Sequence, residues 1–65
     1  MNNYALLITE LRSAMNVSQE DFAKLLGVAP VSVSRWENGH SKPKKIIQVK
    51  LKKLFDRYDI KMEVR

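Results

Sequence analysis

Nothing in this chain can lock it together except its own apolar side chains: it has no cysteine and only 65 residues from which to build a core. Disulfides and thiolate metal sites are excluded as sources of stability, and the single His40 cannot complete a metal site alone. A chain of this size buries only about 60% of the surface its unfolded form exposes, so one small, tightly patterned domain is the most it can make. Apolar residues form 45% of the sequence, which suits such a domain and not a disordered segment. No apolar run approaches the roughly 18 residues that cross a bilayer. Near the N-terminus, Leu6, Leu7 and Ile8 are followed at once by Glu10 and Arg12, unlike the order of a signal peptide. The expectation is a soluble, cytoplasmic protein with no membrane partner.

The apolar residues recur at helical spacing. Tyr4, Leu7, Ile8 and Leu11, continued by Ala14 and Met15, predict a first helix over 4–14 with Asn3 as its cap; Asn16 interrupts it. Ser18 followed by Asp21, with Glu20 in the same turn, predicts the start of a second helix over 18–26. Phe22, Ala23 and Leu26 form its inner face, and Gly27 ends it and lets the chain reverse without a side-chain clash. Pro30 suits the first position of a third helix over 30–37, stopped by Asn38-Gly39, with Val33 and Trp36 facing inward. Pro43 is expected to open a fourth helix over 43–57, capped by Ser41 or Lys42. Its apolar stripe would run through Ile47, Leu51, Leu54 and Tyr58, with Phe55 flanking. Beyond it, Ile60, Met62 and Val64 alternate with Lys61, Glu63 and Arg65, the period of a strand. The fold class expected is all-α, a compact helical bundle with a central helix-turn-helix and a short C-terminal strand or tail. The domain would span 1–58 and the tail 59–65.

The net charge of +5 is unevenly placed. Residues 1–40 hold three basic side chains against four acidic ones, whereas residues 41–65 hold nine against three. Such a field steers one end of the molecule toward a polyanion, although it also serves simply to keep a short basic protein soluble. Two short helices joined by a glycine turn expose the outer face of the second, here Pro30, Val31, Ser34 and Arg35. A helix presented in this way fits a B-form major groove; by geometry alone the same pair is equally ordinary core architecture. No glycine loop, paired-carboxylate cleft or nucleophile partner for His40 points to an enzyme, a metal or a cofactor.

The run Leu11-Arg12, Ser18-Gln19-Glu20-Asp21-Phe22-Ala23, Leu26-Gly27-Val28, Val33-Ser34-Arg35-Trp36-Glu37-Asn38-Gly39 and Pro43 closely resembles the Cro/C1 repressor-type helix-turn-helix family, the Xre-like regulators of bacteria and phages. The resemblance implies a transcriptional regulator, expected to be a repressor that binds a palindromic operator in double-stranded DNA as a homodimer. It also leaves open an antitoxin that binds a toxin protein and regulates its own operon. By the same resemblance, Gln19 reaches a backbone phosphate, and Pro30, Val31, Ser32 and Arg35 meet the groove. Ser34 lies beside them, on phosphate or base, and Arg35 contacts either guanine or phosphate. Asn38, Lys42, Lys44 and Lys45 line the loop that follows the phosphate backbone, while Arg12 bridges to Glu37 and serves the fold. Ala29 stands where the family commonly has a Ser or Thr cap. Pro30 occupies a position where some relatives carry a base-reading glutamine, so base reading shifts to Val31, Ser32, Ser34 or Arg35. The alternating tail is a candidate either for strand pairing across a dimer or for toxin binding.

Overall fold

Four helices, α1 (Tyr4–Met15), α2 (Gln19–Leu26), α3 (Pro30–Glu37) and α4 (Lys45–Arg57), make up the structure, a computed structural model that describes residues 4–60. The expected all-α bundle is what forms, and no strand occurs among the described residues. None of the helices is long and apolar enough to cross a membrane. The cap proposed at Asn3, and Met62 and Val64 of the expected strand, lie outside the described residues.

All four helices stop by one device. The N–H groups of Val17, Val28, His40 and Ile60 reach back to the carbonyls of Arg12, Ala23, Arg35 and Phe55 at 2.8–3.2 Å. The preceding residue in each case bonds the carbonyl three positions back, as Gly27 does to Lys24 and Asp59 to Asp56. This paired closure is the Schellman motif, which requires one residue of positive φ. Gly27 and Gly39 supply it at 75° and 76°, and Asn16 and Asp59 at 58° and 59°. A Cβ added at Gly27 would meet nothing within 4 Å, which corrects the expected clash: glycine is favoured there by its backbone angle. Ile60 packs against the core as the apolar contact that accompanies such a cap, so it closes α4 and is not itself in a strand. Asp59 is less suited to its place, being an L-residue in left-handed space and a negative charge at a helix C-terminus. Asp59→Gly is expected to raise stability by about 0.5–1 kcal/mol, read as a higher urea midpoint at unchanged slope. A lower midpoint would show that the carboxylate makes a compensating contact.

Leu7, Ile8 and Leu11 of α1, Phe22, Ala23 and Leu26 of α2, Val33 and Trp36 of α3, and Ile47, Leu51 and Phe55 of α4 form one core. Two sequence expectations about α4 are corrected. Its buried stripe is Ile47, Leu51 and Phe55, with Leu54 half-buried and Tyr58 38% exposed. Tyr58 stands past the last turn as the C-cap. The helix also starts at Lys45, not Pro43, and neither Ser41 nor Lys42 caps it. Pro43 is buried in extended chain ahead of the helix, and its carbonyl accepts a 2.8 Å bond from Gln48 Nε2. Lys44, at φ −65° and ψ 159°, is the N-cap and contributes no side-chain bond. Ala14, placed on the inner stripe of α1 by its spacing, is exposed.

Candidate nucleic-acid interface

The phase of α3 determines which of its side chains are free to meet another molecule. Val33 is fully buried and Trp36 only 5% exposed, which turns Val31 outward at 63% exposure together with Pro30 and Arg35. Ser32 and Ser34 flank this ridge, half-buried. The helix starts without a side-chain cap, since Ala29 has none to give and Pro30 occupies the first turn. Helix α2 has the opposite character: Ser18 Oγ accepts the Asp21 N–H at 3.1 Å, and Glu20 and Asp21 face the positive end of the helix.

A hydrogen-bonded cluster fixes α3 relative to the two helices before it. Arg12 Nε donates to Glu37 Oε2 at 2.8 Å, and its Nη2 donates to Oε1 at 3.1 Å, a fork on fork. The third donor, Nη1, binds the Val17 carbonyl at 3.1 Å and secures the α1–α2 turn. The pairing of Arg12 with Glu37 is the one the resemblance implied. What sequence reasoning missed is that Gln19 joins it: Nε2 donates to Glu37 Oε1 at 2.8 Å. Burial alone would push the Glu37 carboxyl up, but the hydrogen bonds from Arg12 and Gln19 and the Arg12 charge together outweigh it and hold it below its ordinary value. The Glu37 hydrogen bond in turn raises Arg12, against a smaller opposing effect of burial. Gln19, the first residue of α2, is thereby tied to the far end of α3 with its amide orientation set.

The structure gathers some of the loop residues and separates others. Lys42 and Lys44 line one cleft with Ala29, Ser32 and Trp36, so both stand beside the start of α3. Lys45 instead borders a depression with Tyr4, Gln48 and Val49, toward the start of α1. The Asn38 amide nitrogen is turned back on α3, donating to the Ser34 carbonyl at 2.9 Å and lying 3.4 Å from its hydroxyl. His40 is exposed. Lys44 and Lys45 occupy the cap and first position of α4, and its first turn holds no acid. Cations at the positive end of a helix dipole are an unfavourable arrangement that a bound anion relieves. Lys50, farther along α4, donates from Nζ to the Leu26 carbonyl at 3.4 Å and caps the negative end of α2.

The helix-turn-helix family model matches residues 8–63, most of the chain. No curated protein and no solved structure matches it. That family is one of DNA-binding regulatory domains and not of enzymes. With two short helices crossing at a glycine turn, an outward ridge on the second and Arg12 clamped to Glu37, the chain belongs to the Cro/C1-type helix-turn-helix family of DNA-binding transcriptional regulators.

Proposed function

We propose that the protein is a repressor that reads a palindromic operator as a homodimer, with the outer ridge of α3 in the major groove of each half-site. The observation that carries this is the ridge itself: Pro30, Val31 and Arg35 face water from a helix whose other side is sealed in the core. Arg35 has the donor fork that matches guanine O6 and N7, Val31 offers an apolar surface to a thymine methyl, and Ser32 and Ser34 lie at the edges as short donors. Lys42 and Lys44, beside the start of α3, hold the phosphates on one flank. Gln19 serves the other, with its second amide N–H directed at a phosphate while Glu37 holds the first. Asn38 and Lys45 belong to the outer part of the same footprint. One such ridge spans only a few base pairs, whereas two related by a twofold axis read half-sites about one helical turn apart.

Selection from a random duplex pool identifies the operator, and sedimentation on the selected duplex gives the stoichiometry, expected to be two chains per site. On that duplex Arg35→Ala is expected to cost about 1–3 kcal/mol and to relax discrimination at one base pair. Lys44→Ala is expected to weaken selected and shuffled duplexes alike and to lower the salt slope by about one. Equal losses for Arg35→Ala on both duplexes would make Arg35 a phosphate contact, and a one-to-one complex would remove the dimer.

A further inference from the structure

The C-terminal end of α2 and the second half of α4 border a groove that lies outside the proposed DNA footprint. It has a volume of about 290 Å³ and is lined by Leu25, Leu26, Lys50, Lys53, Leu54 and Arg57. The floor is apolar: Leu26 is buried, Leu54 half-buried, and Leu25 is 55% exposed at the edge. The rim is cationic. Lys50 is anchored on the Leu26 carbonyl, while Lys53 and Arg57, one turn apart on α4, make no ion pair among the described residues. Gln19, the candidate phosphate contact of α2, stands at the opposite end of that helix, about 10 Å away along its axis.

We propose that this groove receives an acidic amphipathic helix of a partner protein, leucine-like side chains entering between Leu25 and Leu54 and carboxylates meeting Lys53 and Arg57. Charge decides among the possible occupants. A second copy, itself at net +5, would bring the same cations face to face across a twofold axis. A phosphate backbone would meet the lysines but leave the leucine floor without a counterpart, since phosphate contacts are polar. An acidic helix with one apolar face satisfies both the floor and the rim, in the helix-in-groove mode. DNA on α3 and the partner on this groove would then be held at the same time, making the protein an adaptor between operator and partner.

The probe is a fluorescent peptide of about 14 residues, four helical turns, with leucines on one face and glutamates elsewhere, titrated onto the full chain. It is expected to bind at about 10–100 µM, more tightly than a scrambled peptide of equal composition whose leucines share no face. Leu25→Ser, at an exposed position, is expected to weaken it by about tenfold while leaving affinity for the selected duplex unchanged. Lys53→Gln is expected to weaken the peptide and to lessen the salt dependence of its binding. The proposal is overturned if the scrambled peptide binds equally well, if the selected duplex displaces the probe, or if Leu25→Ser leaves peptide binding intact. These readouts concern the groove alone, so loss of DNA binding in Arg35→Ala neither supports nor removes it.

Discussion

Trp36→Ala is expected to leave a large part of the population unfolded at 25 °C. Trp36 is 5% exposed and belongs to a single core of only eleven buried residues among those described. Truncating a buried tryptophan costs about 3–5 kcal/mol in lost transfer energy and residual cavity. A domain of this size has a total stability of about 3–10 kcal/mol, so the loss is comparable with the whole. Circular dichroism at 222 nm against urea gives the measurement, because the substitution removes the only tryptophan and with it the intrinsic probe. Val31→Ala on the opposite side of the same helix, at 63% exposure, is expected to change stability by less than about 0.5 kcal/mol. If the two variants melted alike, the phase assigned to α3 would be wrong.

Glu37→Gln is expected to cost about 1–3 kcal/mol at neutral pH, and the difference from wild type is expected to vanish in acid. The substitution removes a carboxylate that accepts from Arg12 twice and from Gln19 once, leaving a charged guanidinium against a neutral amide. Because the folded protein holds Glu37 below its ordinary value, its ionised form favours folding. That contribution is complete above the unfolded-state pKa of about 4.3 and is lost as the pH falls through the lower folded value. Urea unfolding of both proteins between pH 3 and pH 7 should therefore give curves that converge toward the acid end. Curves that remain parallel would mean that Glu37 keeps its charge throughout, or that its pairing with Arg12 does not contribute to stability.

The features legible in the sequence were those written locally. Ser18, Gly27, Pro30 and Gly39 each act within a few residues, and the ends of α2 and α3 fell at or within one residue of where those signals place them. Asn16 interrupts a helical stripe and shows that glycine is not the only residue able to take the left-handed position; Asp59 does the same and was obscured by the alternation that follows it. What escaped depended on contacts between distant segments. Gln19 and Glu37 are eighteen positions apart on different helices, and no periodicity announces that their side chains meet. Pro43 carries a start signal, yet it is buried and Gln48 holds its carbonyl, so α4 begins two residues later. At the far end of α4, Phe55 and Tyr58 share one apolar arc, and only the packed core decides that Phe55 is central. Pro30, Val31 and Arg35 were legible as outward because Val33 and Trp36 left them no other side, whereas Ser34, expected on the same face, is half-buried.

Helix α3 is only eight residues long, well short of the roughly 12–15 at which an isolated helix becomes even marginal in water. Its existence therefore depends on the core beneath it, and the recognition surface proposed for it would vanish whenever the domain opens. On the proposed function, occupancy of an operator would measure two equilibria at once: the apparent dissociation constant would be the intrinsic one divided by the folded fraction. A core substitution that never approaches DNA would shift the regulatory dose–response curve, and high operator concentration would pull it part of the way back, by about 2.7 kcal/mol at a hundredfold excess over the dissociation constant. Cellular temperature, by changing the folded fraction, would tune the same curve without any dedicated sensor.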